Sequence, residues 1–250
     1  MSLFPDIVLE FCSREDQRYK TIRDEHYVPN KGEIGRQIQF IIWRRREKVG
    51  IITAGSAVKA VGARDKFFGI TKANRKEVIQ QIVNNTVCRL IVHERGLMQE
   101  VLSIWRKVVP FIWFDLYATE PIAFETFVGE AVVREGESRD GHSYKGDNWQ
   151  FLGKTKGVAK HTKGGKVFSH VKTDPKLIFA RRCDDFSWMH SGYGIPKRKS
   201  SFPGKTSEEK RVMKQIAARR KYLRGKAYYM QLTKRGWVVA LTPIENVLQH

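Results

Sequence analysis

Cys88-Arg-Leu-Ile-Val-His93, Gly96-Leu-Met-Gln-Glu-Val-Leu-Ser-Ile-Trp-Arg-Lys-Val-Val109, Pro121-Ile-Ala-Phe-Glu-Thr-Phe-Val128 and Gly141-His-Ser-Tyr-Lys-Gly-Asp-Asn-Trp-Gln-Phe-Leu-Gly153 decide the reading of this chain. The first and third runs are short, apolar and β-branched, which predicts strands; the second carries apolar residues at helical spacing. The fourth opens on glycine, continues as a polar helical turn and closes on a strand. A strand, a glycine turn, a helix and a second strand thus follow one another. The amides at such a helix start have no partner within the helix, so they and the helix dipole favour an anion there.

Working outward, Asp6-Ile-Val-Leu-Glu-Phe-Cys12 predicts a first strand and Ser13-Arg-Glu-Asp16 a capped helix start running to about Glu25. Ile38 to Trp43 and Val49 to Thr53 predict a hairpin whose tip, Arg44-Arg-Arg-Glu-Lys48, is basic. Asn74-Arg-Lys-Glu77 reads as a capping box opening a helix from Val78 to Val83. This order resembles the GNAT acyltransferases, with residues 54–86 as an insertion before the fourth strand. In that family a donor pyrophosphate rests on the helix after that strand, and a later helix carries a tyrosine about five residues before an aromatic and a glycine. Tyr144, Trp149 and Gly153 approximate that pattern. The resemblance therefore implies acyl-CoA or another activated acyl donor, held by Arg95, Gly96 and Asn148. Met98 departs from it, standing where the family's phosphate loop has a small residue.

Composition bounds the rest. With 250 residues, 41% of them hydrophobic, the chain can bury one large core. It holds no apolar run of about 18 residues and no basic-then-apolar leader, so a soluble, untargeted, cytoplasmic protein with no membrane partner is expected. Cys12, Cys88 and Cys183 are far apart and show no zinc spacing, so neither a metal site nor a disulfide framework is expected. Residues 1–150 carry 23 Lys and Arg against 20 Asp and Glu, whereas residues 151–250 carry 23 against 6. So one-sided a field attracts a polyanion, and lysines mixed with glycine and aromatics favour nucleic acid over a membrane surface.

The basic segment Lys154 to Lys166 reads as a glycine-rich loop, Pro175 to Arg181 as a strand, and Thr206-Ser-Glu-Glu209 as the capped start of a helix to about Arg224. Tyr228 to Leu232 and Trp237 to Leu241 form a closing hairpin. The fold expected is α/β: a GNAT-like core, a central mixed sheet with flanking helices, over residues 1–166, with a basic C-terminal α+β extension over residues 167–250. Gly153-Lys-Thr and Gly204-Lys-Thr are not phosphate loops, because Asn148 and Lys199 occupy the required upstream glycine.

Glu125-Thr-Phe-Val128, Gly141, Tyr144, Asn148-Trp149 and Leu152-Gly-Lys-Thr-Lys-Gly157 resemble the signature region of the DruA family of the Druantia antiphage system. His26-Tyr27, Gly35-Arg-Gln37, Arg64-Asp65 and Asn84-Asn85 are similar to its upstream landmarks, so the resemblance spans about residues 26 to 182. More distantly the chain is similar to the Mom proteins of Mu-like phages, which modify the adenine amino group of DNA. These resemblances imply double-stranded DNA, a small-molecule group donor and defence-system or phage proteins as partners. They imply either a transferase or a non-catalytic DNA-binding component. Lys145-Gly-Asp147 departs from DruA, where small or basic residues are usual, and Glu125 departs from Mom, where an aspartate-bearing strand is expected.

Modifying an adenine amino group requires a base and an acid. Tyr144 is the candidate acid, its alternative being core packing. Glu125 is a candidate base, set by strand alternation with Ala123 and Phe127, its alternative being a buried ion pair with Arg89 or Arg36. His26 is the other candidate base, its alternative being a surface histidine, with Tyr27 beside it to stack on an extruded base. His93 and His142 are weaker candidates. For the nucleic-acid interface the candidates are Arg44, Arg45, Lys154, Lys156, Lys160, Lys163, Lys166, Lys197, Arg198, Lys199, Arg219 and Arg220. Phe186, Trp188 and Tyr193 offer either stacking platforms or an apolar seam.

Overall fold

In the computed structural model, the structure describes residues 6–27, 35–129, 132–134, 137–138, 140–163, 166–183, 207–233 and 236–248. In chain order the strands and helices are β1 (Ile7–Cys12), α1 (Gln17–Asp24), β2 (Gln37–Arg44), β3 (Glu47–Ser56), α2 (Gly62–Phe68) and α3 (Arg75–Val78). A 3-10 turn, Ile79–Gln81, leads into β4 (Ile82–Leu90), followed by α4 (Leu97–Tyr117), β5 (Ala123–Gly129), β6 (Val132–Arg134) and β7 (Glu137–Ser138). Next come α5 (His142–Gly146), β8 (Gln150–Lys154), β9 (Val158–Lys163), β10 (Lys166–Lys172) and β11 (Lys176–Arg182). The chain closes with α6 (Ser207–Leu223), β12 (Lys226–Thr233), β13 (Gly236–Pro243) and α7 (Ile244–Leu248).

The described strands build one main sheet in the order β13-β12-β1-β2-β3-β4-β5-β11-β8. β4 and β5 pair in parallel, joined through α4, while the other neighbours in the sheet pair antiparallel. A parallel pair needs such a crossover, and the apolar stripe of α4 covers one face of the sheet. Val101, Trp105, Val109 and Trp113 of α4 pack with Phe11, Phe40, Val83 and Phe124. On the opposite face Tyr19 and Ile22 of α1 pack with Ile41, Ile51 and Val87. Among the described residues no helix is long and apolar enough to cross a membrane. No group of three or more metal-ligating side chains converges among them.

The mixed α/β core with flanking helices is as expected, and several boundaries differ. β4 begins at Ile82 rather than near Cys88, so the inserted part is residues 57–81, with 54–56 ending β3 and 82–86 opening β4. The inserted helix is Arg75–Val78 rather than Val78 to Val83, with Asn74 as its cap residue making no side-chain capping bond. α1 is capped by Asp16, which accepts the Arg18 amide at 2.9 Å, not by Ser13. Where a loop was expected from Lys154 to Lys166, β9 pairs antiparallel with β10. Strands from both sides of residue 166 share the main sheet: β11 sits between β5 and β8, and β12 pairs with β1 through Leu9 opposite Tyr228.

Candidate active site at the β4–β5 splay

β4 and β5 pair from Ile82 opposite Ala123 to Asn85 opposite Thr126. On its other side β4 shifts register against β3: Ala54 faces Asn85 and Thr53 faces Val87, leaving Thr86 as an extra residue. A bulge bends the strand that carries it, and beyond this point β4 and β5 run on without pairing to each other, as a splay. Asn85 lies at its apex, its Nδ2 donating to the Thr53 carbonyl at 3.1 Å. Thr126 donates to the Asn85 carbonyl at 3.0 Å. Into the same apex comes Tyr144, whose hydroxyl donates to Asn85 Oδ1 at 2.6 Å and lies 3.4 Å from Thr126 Oγ1.

The α5 turn that carries Tyr144 is fixed from several sides. Gly141 has φ 74° and a Cβ there would lie 2.3 Å from the Phe179 ring, so only glycine fits. The Tyr144 ring stacks on Phe179 at 5.8 Å and meets Trp149 edge-on at 5.2 Å. Below it Asp147 is buried, accepting from Arg106 at 2.6 and 2.7 Å and from the Trp149 indole at 2.8 Å. Arg181 donates to the Asp147 carbonyl. Burial, with Cys88 and Tyr27 nearby, raises the Tyr144 hydroxyl well above its ordinary pKa, so it stays protonated at neutral pH.

His26 and Tyr27 reach the same end of β5. The Tyr27 hydroxyl accepts the Gly129 amide at 3.2 Å, and the His26 ring lies 4.5 Å from the Tyr27 ring. Glu125 instead points to the opposite face. Its Oε1 accepts the Val58 amide at 2.7 Å and its Oε2 accepts from Arg64. Arg64, fully buried, also donates to Val58 O at 2.6 Å and pairs with Asp65 at 2.7 Å, which in turn pairs with Arg75 at 2.7 Å. The ion-pair partner of Glu125 is therefore Arg64, not Arg89, which pairs with Glu25, nor Arg36, which reaches Thr119. Burial pushes the Glu125 pKa up to about 7, against the attraction of Arg64. Asn84, its neighbour in register, keeps a buried Oδ1 with no partner.

Gly96 caps α4 with φ 85° and no side-chain cap, and the space beyond it is open. Arg95 and Asn148 are exposed, Asn148 at a φ of 59°. The Gly146 backbone packs against Gln99 in the first turn of α4, which sets the end of α5 beside that helix start. Met98 does not block the amides: its sulfur turns back onto Cys88 Sγ at 2.9 Å. Burial raises the Cys88 thiol to about 12, which leaves it an inert apolar filler.

The expected nucleic-acid residues divide. Arg44 and Arg45 both pair with Asp6 at 2.9 Å, and Arg44 also with Glu94, so the hairpin tip is largely neutralised from within. Lys154 and Lys156 are exposed along and just beyond β8, and Lys160, Lys163 and Lys166 belong to β9–β10. Lys197, Arg198, Lys199, Phe186, Trp188 and Tyr193 lie outside the described residues. Arg219 pairs with Asp115 at 2.7 Å. Arg220 turns inward, donating to Gln37 O at 2.6 Å, Tyr117 Oη at 2.9 Å and Gln39 Oε1 at 3.1 Å, so its donors serve the fold. The sequence reading missed the site roles of Asn85 and Thr126, and the anchors Arg64 and Asp147. For Asn85 a signal existed, two asparagines and a threonine interrupting an apolar strand.

Among the described residues the architecture is that of an α/β protein, one mixed sheet with flanking helices and a single parallel pair, β4–β5. The chain belongs to the DruA family, described as Druantia protein DruA, whose model matches residues 6–182. A comparison with curated proteins finds no match. Among solved structures, the chain is similar to a Salmonella typhimurium acetyltransferase that modifies the N-terminal serine of the 50S ribosomal subunit protein L7/L12. That match has 12% identity and a TM-score of 0.36, and covers 60% of this chain and 66% of the other, just under two thirds of its length. A Bacillus subtilis acetyltransferase in complex with CoA matches at 7% identity and TM-score 0.42, over 70% of this chain and 98% of that one. A GNAT family acetyltransferase from Elizabethkingia anophelis with acetyl-CoA bound matches at 8% identity and TM-score 0.36, over 72% and 99%.

Proposed function

We propose that this chain is an acyltransferase-like enzyme that modifies the exocyclic amino group of adenine in double-stranded DNA, with the β4–β5 splay as its active site. The observation that carries this reading is the Tyr144 hydroxyl, held protonated against Asn85 where the parallel strands part. The uncapped, open start of α4 fits a donor's pyrophosphate, with Gly96 giving close approach and Arg95 and Asn148 exposed to contact it. An activated acyl donor, acyl-CoA or similar, supplies the acyl group when bound there. Tyr144 holds a proton at Oη for a departing thiolate, and Asn85 and Thr126 fix that hydroxyl's direction. His26 takes the proton that the adenine nitrogen loses, and Tyr27 stacks on the extruded base. Glu125, with both oxygens occupied, ties the insertion to β5 and is not assigned to the chemistry.

The DNA substrate is supported by the charge of residues 151–250 and by family membership in an antiphage protein. A non-catalytic DNA-binding role in a DruA-type defence system is the second reading, favoured by the DruA match and the basic residues 151–250, neither of which calls for transfer chemistry. Incubating the full chain with duplex DNA and radiolabelled acetyl-CoA, then counting label retained on the DNA, separates the two. Retained label that Tyr144→Phe abolishes supports the enzyme. DNA binding without label transfer from acetyl-CoA or longer acyl-CoA donors supports the second reading.

A further inference from the structure

The outer face of α6 carries a charge pattern unrelated to the β4–β5 cleft. Lys210, Lys214, Lys221 and Arg224 are all exposed and, with the small Ala217 between them, follow spacings that alternate four and three. Such spacing sets them on one side of a helix, over a length of about 21 Å. The Arg224 amide still bonds back to Arg220 at 3.2 Å, so the helical turn includes it. Glu208 and Glu209 belong to the first turn, which leaves the stripe unbalanced along most of its length.

Beside the stripe lies a groove of about 400 Å³ between α4 and α6, in the size range of small-ligand sites. Leu116 and Ile216 form its floor, with Asp115, Gln215, Arg219 and Tyr222 at its rim. Tyr222 is 55% exposed, unusual for an aromatic on a helix that packs against a core. The Arg219 guanidinium lies 4.7 Å from its ring centre and Lys226 Nζ 5.6 Å. The Arg219 ion pair with Asp115 holds this rim in place.

We propose that this face binds single-stranded nucleic acid, with phosphates along the Lys210, Lys214, Lys221 and Arg224 stripe and one base in the groove against Tyr222. An exposed aromatic beside a cationic track suits a strand whose bases are free to stack. The Gln215 amide and the Asp115 carboxylate offer a donor and acceptors to a base edge. A duplex can offer its phosphates to the stripe, but must unpair to fill the groove, which favours the single strand. This site is independent of the transfer chemistry proposed above.

Fluorescence anisotropy of the full chain with a labelled oligonucleotide of about 15 nucleotides, single-stranded or annealed to its complement, tests it. Tyr222→Ala is expected to weaken single-strand binding roughly 5- to 100-fold and duplex binding less than about twofold, with Tyr222→Trp restoring it. Tyr222 is exposed, so the melting temperature should hold in both variants. Reversing Lys214 and Lys221 to glutamate should reduce the single-strand slope of log affinity against log salt by about 1.4. Unchanged single-strand affinity in Tyr222→Ala, equal loss on both forms, or an unchanged salt slope overturns the proposal. So does displacement of the oligonucleotide by phosphatidylserine vesicles that bind Tyr222→Ala as tightly as wild type. Because the assay reads binding alone, its failure leaves the transferase reading standing.

Discussion

Replacing Tyr144 by phenylalanine separates chemistry from packing at the apex of the splay. The ring packing against Phe179 and Trp149 is that of the phenyl group and survives. What is lost is one short bond, the 2.6 Å donation to Asn85 Oδ1. Asn85 keeps its Nδ2 bonds to Thr53 O at 3.1 Å and Val87 O at 3.4 Å, so its side chain does not turn to find a new donor. Leaving that acceptor unmet costs about 1 to 3 kcal/mol. For a chain of this size this corresponds to a fall in melting temperature of roughly 2 to 12 °C. The loss of a positioned proton donor is a separate and larger effect, about 10² to 10⁴ in rate. Thermal denaturation and a single-turnover transfer assay on the same preparation read the two quantities. A variant that melts a few degrees lower and transfers at least a hundredfold more slowly meets the expectation. Transfer within about threefold of wild type would refute the assignment of Tyr144 as acid, since so small a change lies far below the range for a lost general acid.

Three other perturbations probe the supports. Glu125 has a folded-state pKa of about 7 against an ordinary 4.5, so its contribution is fully present below pH 4.5 and is lost as pH rises through 7. The wild-type advantage over Glu125→Gln should therefore narrow between pH 5 and pH 8, by up to about 3 kcal/mol in denaturant titrations, and an advantage that widens would contradict it. Asp147→Ala leaves Arg106 buried without its carboxylate, and should cost about 3 to 5 kcal/mol by urea denaturation, whereas a loss under about 1 kcal/mol would refute the anchor. Reversing Lys160, Lys163 and Lys166 to glutamate should flatten the salt dependence of duplex binding by about 0.9 for each phosphate no longer neutralised, and an unchanged filter-binding slope removes β9–β10 from the interface.

Local pattern makes some of this legible. The β2–β3 hairpin follows from β-branched runs on either side of a basic tip, and α4 from its apolar stripe, although it extends to Tyr117 through Pro110. β4 is harder to place because Asn84, Asn85 and Thr86 look like a loop. They are polar because the apex needs them: Asn85 orients Tyr144, and Thr86 is the bulge. β9–β10 hides for a related reason, since lysines and histidines conceal the period of two. Tyr144 is readable from its spacing to Trp149, but its partner Asn85 lies 59 residues earlier, and no local signal connects them. The same holds for Arg64 and Glu125, 61 residues apart, so the choice among arginines comes from the fold. Asp147, which departs from its family's usual residues, is in this chain the buried counter-charge for Arg106 and Arg181.

Mass spectrometry of nucleosides from the DNA of cells expressing wild type, Tyr144→Phe or an empty vector tests the central claim most directly. The account predicts a deoxyadenosine species heavier by one acyl group, present with wild type and absent from the other two. Unmodified deoxyadenosine in all three samples, with the wild-type chain bound to that DNA, would contradict it.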